Sequence, residues 1–300
     1  MTPDKNAALV GWTDDQWNLV LTTVTTEAQK ARLAASFLPV TGPLDPMTVA
    51  VPNLKLAREG TPDNVAVGDR PPPERLLVDS QPNLKLITIS TFAYLHSHEV
   101  ADPDLAAALG IFRRAANMIA RAEDAIIFNG KKTVLKSPLD VLVRIPPPAE
   151  LEKVWDGLAA IGNETPVGEV SSDTVFTAVV GAIGTLEDQG YFGPFACVLS
   201  KELFAEASRP IAALVSARDR LLPFLDGLLF RSGLLPKNSG IVVALGGAPV
   251  EIVVASDISV NFLQINTEPR WVFRVSERIA LRVKDVNAVQ RLTPLTTSPA

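Results

Sequence analysis

Two histidines, one cysteine and a few paired acids are the residues of this sequence whose types suit chemistry. His96 and His98 stand two apart beside Glu99. On an extended strand both imidazoles point to one face, which suits a metal ion. The chain has no other histidine, and two ligands do not close a coordination sphere, so no metal site is expected. Cys197 lies inside the apolar run Phe195-Ala196-Cys197-Val198-Leu199, where a thiol stays protonated and inert. As the single cysteine it also excludes an internal disulfide, which fits a reducing compartment. Glu123-Asp124 and Glu187-Asp188 are adjacent on helical stretches, and adjacent helical side chains do not face each other. Glu123 falls close to an apolar stripe, so a structural ion pair is expected there. The sequence holds no G-x-S-x-G elbow, C-x-x-C, H-E-x-x-H or Walker A motif. Gly246-Gly247 lacks the spacing of a dinucleotide or phosphate loop. No catalytic residue is expected.

The elements that must position these residues are more informative. Asp102 to Gly130 reads as one long amphipathic helix. Asp102 is an N-cap, Pro103 sits at the first helical position, and Asn129-Gly130 is the stop. Leu105, Leu109, Phe112, Ala116, Ile119 and Ala120 form its apolar face, with Arg113, Arg114, Asn117, Arg121 and Asp124 mostly elsewhere. Such a rod is roughly 39 Å long and spans a domain. A first helix opens at Thr13, where Thr13 and Gln16 have capping-box spacing, and runs to about Ala35. Trp17, Val20, Leu21, Val24, Ala28 and Ala31 make its stripe, which is expected to bury against the chain's own core. Its polar face carries too few basic residues for a membrane surface.

Many of the 24 prolines fall in 39–52, 62–82 and 138–148, which read as extended connectors. Leu54 and Leu56, then Leu84 and Leu86, alternate with polar residues in a repeated PNLKL, predicting a long projecting hairpin. It would be marginal without something to pack on. Further on, a short helix is expected over 150–161, and a helix over 172–189 capped by Ser172 or Asp173. A buried strand follows at 195–199, then a helix over 201–207. Strands 241–245 and 249–255 read as a hairpin around Gly246-Gly247. Strands are also expected at 257–264 and 271–283, and a loose tail at 293–300. The net charge of −5 and pI near 5.2 argue against general nucleic-acid binding. The N-terminus lacks a secretory layout, and no run of about 18 apolar residues suggests a membrane span.

Taken in order, several segments resemble the encapsulins, bacterial shell-forming proteins. These are WTDDQW with the helix after it, FLPVTGP, ARAEDAIIFNG, DQGYFGPFACVLS, VEIVVASDISVNF and WVFRVSERIALRVK. The resemblance implies an α+β, tailed-phage major capsid-like fold. Its peripheral domain would comprise 1–52, 90–145 and 262–292, its extended loop 53–89, its axial domain 146–261, and its tail 293–300. It implies a non-catalytic, cytoplasmic protomer that self-assembles into an icosahedral shell; no metal or cofactor is assigned to it, and from its charge and composition no nucleic-acid or membrane partner is expected. It implies a cargo protein on the lumenal face, docked by a C-terminal targeting peptide. The residues carried over for that docking are Trp17, Val20, Leu21, Val24, Ala28, Ala31, Phe37 and Leu38. The chain departs from the family at Ala35-Ser36, where a basic pair is usual, and at Pro39, where an acid is usual, so docking is expected to be more apolar. A glycine-rich turn is also missing near Lys131 to Lys136. Alternatives are a phage or prophage capsid protein, a soluble enzyme using Cys197 or the His96/His98 pair, and an adaptor that binds through the first helix.

Overall fold

Two five-stranded sheets, each packed on helices, organise the chain. The computed structural model describes residues 9–45, 47–59, 75–79, 83–130, 132–133, 141–144, 155–210, 215–266 and 268–295.

The first sheet has the strand order Val40–Thr41, Val250–Ile265, Arg270–Val283, Ile87–His96, Leu142–Arg144. Its two long strands are antiparallel neighbours, with register shifts between Val254 and Ser256 and between Ser256 and Ser259. The expected strand at 257–264 is therefore the outer half of one strand that begins at Val250. Alternation sends Ile87, Ile89, Ala93 and Leu95, with Phe273, Val275, Ile279 and Leu281, into one core.

The N-terminal helix, Asp14–Ala31, starts as the sequence indicates. Thr13 Oγ1 accepts from the Gln16 N–H (3.2 Å), and the Thr13 N–H donates to Gln16 Oε1 (2.9 Å). It ends four residues earlier than expected, because Arg32 turns extended and Ala34–Ser36 form a separate 3₁₀ turn. The spine helix is Ala106–Asn129 and begins later than expected. Leu105 is fully buried in a left-handed conformation, φ 51°, and closes a turn from Asp102 (Leu105 N–H to Asp102 C=O, 3.1 Å). The N-cap is Leu105 and not Asp102 as expected, although the Asp102 carboxylate accepts from the Ala106 N–H at 3.0 Å, and Pro103 lies in the preceding turn. Gly130 ends the helix as expected, at φ 55°. The last two turns are buried all round, from Ala122 to Phe128, because the chain returns over them. The Leu158 and Ala159 N–H groups donate to the Ile127 and Phe128 carbonyls (3.0 and 2.8 Å). A Cβ on Gly157 would meet the Phe128 carbonyl and the Gly130 nitrogen, so only glycine fits that crossing.

The second sheet has the order Leu229–Ser232, Phe195–Ser200, Gly240–Ala244, Val289–Pro294, Asn163–Val167. Helices Ser172–Asp188, Lys201–Ala207 and Ala217–Leu221 cover one side. The first of these is capped by Ser171, one residue before the expected Ser172, with Thr174 completing a capping box. Phe195, Cys197 and Leu199 face these helices, while Ala196 and Val198 face the first core.

Several expectations need correction. Gly246-Gly247 does not close a hairpin. Gly240–Ala244 pairs inside the second sheet, and Val250–Ile265 crosses to the first. Of the expected helix at 150–161, residues 150–154 lie outside the described residues. The remainder forms a bridge, Asp156 to Gly130, and a turn. Thr293 and Pro294 belong to a strand rather than to a tail, and 296–300 lie outside the described residues. Val250–Ile265 is one strand of the first sheet, and Val289–Pro294 joins the second. The stretch Lys131 to Lys136, apart from Lys132 and Thr133, is also outside the described residues.

A hairpin forms between Lys55–Glu59 and Arg75–Asp79, not between the two PNLKL copies as expected. Residues 60–74 at its tip are outside the described set. Leu56 and Val78 are register partners and are 46% and 62% exposed. The second PNLKL copy does not join this hairpin, since Leu84–Lys85 pairs with Ala50–Val51.

Candidate functional site

Among the described residues, a cluster of charge lies where the N-terminal helix meets the spine helix and the first sheet. Arg32 extends inward from the end of the N-terminal helix. Its Nε stands 2.5 Å from Glu123 Oε2, and its terminal nitrogen contacts Glu277 and Asp257 Oδ1, the latter at 3.1 Å. Glu123 and Glu277 are buried. Burial pushes both carboxyls up, and Arg32 opposes that rise. The three acids in turn hold the guanidinium above its ordinary range against its own desolvation. Beside them, buried Asp124 accepts from the Leu33 N–H (3.0 and 3.1 Å) and the Ala34 N–H (2.8 Å). Burial raises its carboxyl to about 7. The cluster ties the exit of the N-terminal helix to the spine and the sheet. The ion pair expected of Glu123 is present. Arg32 and Glu277 were not anticipated, although a glutamate on the inward phase of Val275, Glu277 and Ile279 is a signal for one.

The stripe residues carried over for cargo docking divide by burial. Val20, Val24 and Ala28 are fully buried, and Phe37 and Leu38 are buried. Phe37 stacks on Phe230 at 5.3 Å between ring centroids. Trp17, Leu21 and Ala31 keep part of their surface. Trp17 also joins an aromatic cluster with Trp12 (4.9 Å) and Phe273 (6.3 Å). Trp12 is anchored there by its indole N–H, which donates to the Val100 carbonyl at 2.9 Å.

Beside Ala31 the spine helix floors two adjoining cavities that share Arg114 and Met118. One, of about 520 Å³, lies between the helix and strand residues Thr91 and Phe92. The other, of about 330 Å³, reaches Ala31, Asn117, Arg121 and Asp124.

The chemistry-bearing residues from the sequence do not converge. The strand ends at His96, and Ser97–Val100 turn helical, so the two imidazoles do not share a strand face. They stack instead, 5.6 Å apart, and both are exposed. Among the described residues no group of three or more His, Cys, Asp or Glu side chains is placed to hold a metal ion. Cys197 is fully buried, and burial drives its thiol far above the ordinary range. Among the described residues no helix is long and apolar enough to cross a membrane.

Two packed layers, a spine helix and a projecting hairpin define the tailed-phage major capsid fold, and solved structures bear this out. The virus-like particle from Pyrococcus furiosus aligns over 91% of this chain and 97% of its own, with a TM-score of 0.63 at 15% identity. The capsid of Myoviridae phage XM1 aligns over 88% and 92%, with a TM-score of 0.58 at 12% identity. More particularly, the sequence model of a family described as encapsulating protein for peroxidase matches residues 153–280. The type 1 encapsulin shell protein EncA of Myxococcus xanthus (strain DK1622) is 29% identical over 190 residues. That match spans 62% of this chain and 58% of the relative's length. The resemblance to encapsulin shell proteins is thereby borne out.

Proposed function

We propose that this chain is the non-catalytic protomer of an encapsulin-type shell, which self-assembles into a closed icosahedral compartment around cargo protein in the cytoplasm. The observation that carries this reading is the capsid fold in a chain whose residues 153–280 match an encapsulating-protein family. The exposed Leu56/Val78 pair on the hairpin supports it, since such an arm gains stability by packing on a neighbouring copy. Modest contacts suffice because every subunit makes several at once. The first-sheet core corresponds to the peripheral domain and the second-sheet core to the axial domain. A cargo protein's C-terminal peptide would dock near Trp17, Leu21 and Ala31, the stripe residues that keep surface. Val20, Val24, Ala28, Phe37 and Leu38 would shape that face from beneath.

The test is particle mass by light scattering, with negative-stain images of the same sample. Uniform hollow particles in the megadalton range are expected; a monomer or small oligomer across several salt and pH conditions overturns the shell. A phage or prophage capsid is the second reading, favoured by the likeness to the phage XM1 capsid. Particles that co-purify with protein support the encapsulin reading, and particles filled with DNA support the capsid.

A further inference from the structure

The N-terminal helix is pinned at its start by neutral groups and at its end by charge. At the start, the Trp12 indole N–H donates to the Val100 carbonyl (2.9 Å) and Gln16 Nε2 donates to the Pro103 carbonyl (3.1 Å). At the end, one guanidinium, Arg32, faces three carboxyls: Glu123 from the spine helix, and Asp257 and Glu277 from the first sheet. With every acid ionised this cluster carries an excess of two negative charges. Asp257 is exposed, but Glu123 and Glu277 are buried, and a dry site takes up a proton rather than hold unpaired charge. Glu277 Oε1 is buried with no hydrogen-bond partner among the described residues, and the Glu123 and Glu277 carboxyls lie within hydrogen-bonding reach of each other. A proton between them fills that gap. Asp124, next along the spine, accepts from the Leu33 and Ala34 N–H groups just past Arg32. It borders the cavity of about 330 Å³, which Arg114 and Arg121 also line and which gives it a path to water. Both arginines and Lys30 are exposed, and Glu27 is engaged by Asn117 Nδ2 at 3.0 Å.

We propose that the exit of the N-terminal helix is a proton-held latch: Glu123 and Glu277 share one proton while residues 28–36 are docked, and loss of that proton and of the Asp124 proton to water frees those residues and leaves the helix start in place. Burial raises all three carboxyls, Asp124 to about 7. A group whose folded value is raised stabilises the docked state at low pH, and that stability is lost as pH rises through the folded value. The latch is therefore closed near pH 5 and opens above about pH 7. The opening is bounded on both sides. Before it, Val20 and Val24 are fully buried and carry no charge. Beyond it, Phe37 stacks on Phe230 at 5.3 Å, again without a titrating group. The inference concerns a single copy of the chain and does not rest on the shell reading.

The experiment is hydrogen exchange of the full chain at pH 5, 7 and 9, corrected for the intrinsic pH dependence of amide exchange, with the light-scattering mass of the same samples. The opening constant over 28–36 is expected to rise roughly tenfold or more between pH 5 and pH 9. Exchange over 12–20 and over the spine at 106–121 should stay flat, and the mass should not change. Glu277→Gln/Asp124→Asn removes two of the titrating groups. Its glutamine amide can donate to Glu123 where the proton stood, and its asparagine oxygen still accepts from the Leu33 and Ala34 N–H groups. In that variant the opening constant over 28–36 should be the same at pH 5 and pH 9. Asp257→Asn keeps the buried pair and Asp124, so it should retain the rise seen in the parent. The parent's own pH series decides the matter if the double variant does not fold. No rise in the parent, a rise shared equally by 12–20, or a parent-like rise in the double variant overturns the inference. A mass that falls as the exchange rises also overturns it, in favour of a contact between copies.

Discussion

Replacing Arg32 by Met tests whether the buried charge cluster holds the N-terminal helix in place. The substitution keeps length and apolar stem but leaves Glu123 and Glu277 without their counter-charge in a site that is 2% and 1% exposed. Removing one partner of a buried pair costs roughly 3–5 kcal/mol where the other stays ionised. For a chain of 300 residues that lowers the unfolding midpoint by about 5–8 °C. The sign with pH follows from the acids. Both carboxyls are raised above their ordinary value of 4.5 by burial, and losing Arg32 raises them further. A group whose folded pKa is raised contributes stability at low pH and loses it as pH rises through the folded value. The defect should therefore be larger at pH 8 than at pH 5, since it shrinks as the carboxyls take up protons. Calorimetry of parent and variant at both pH values measures this. Hydrogen exchange over residues 14–38 shows whether the loss is local. An equal midpoint shift at both pH values, or none at either, would refute the assignment of Arg32 as the counter-charge.

Asp124, raised to about 7 by burial, makes parent stability fall as pH rises from about 4 through 7; Asp124→Asn should flatten that slope in the same calorimetric series. Two glycine substitutions should have opposite signs in a thermal-shift assay. Gly157→Ala drives a Cβ into the Phe128 carbonyl and should cost about 1–3 kcal/mol. Gly110→Ala, mid-helix with open space around it, should gain about 0.5–1 kcal/mol. Cys197, fully buried with its thiol raised, should resist iodoacetamide at pH 8 in the native protein and react fully in denaturant, as read by intact mass.

Local signals were legible in the sequence, and long-range pairings were not. The Thr13–Gln16 capping box involves groups three residues apart, so spacing alone reports it. The spine helix was visible from its periodicity, but its start was not. Leu105 adopts a left-handed conformation because its side chain is fully buried, a tertiary demand that overrides the local Asp-Pro signal. Gly246-Gly247 announced a turn correctly, yet a turn does not say which strand each flank will join. The flanks go to different sheets, and Val243 finds Ala196 and Val289 instead. The charge cluster draws Glu123, Asp257 and Glu277 to Arg32 from distant parts of the chain. Glu123 carried a hint from its place beside the apolar stripe, and Glu277 one from the inward phase of its strand. The two cavities depend on how a strand and two helices are set against one another, which no periodicity encodes.

Two of the crossings between the layers, at 245–249 and 284–288, bear on how the protomer behaves as a building block. The chain leaves the second sheet at 245–249 and returns to it at 284–288. These segments lie side by side, with the Lys284 and Asp285 N–H groups both on the Pro249 carbonyl (2.8 and 3.3 Å). Asp285 also accepts from the Tyr191 hydroxyl, which ties the crossing to the turn after helix Ser172–Asp188. The second sheet is a shared wall, with Cys197 and Leu199 packed into one core and Ala196 and Val198 into the other. Tilting one layer against the other would break packing on both faces of that wall at once, and close-packed interiors resist such continuous deformation. In the proposed shell the curvature must then come from contacts between copies, and the exposed Leu56/Val78 pair of the hairpin is available for one. Particle size should accordingly respond to substitutions at Leu56 and Val78 and stay constant for substitutions at the 245–249 crossing that leave the fold intact.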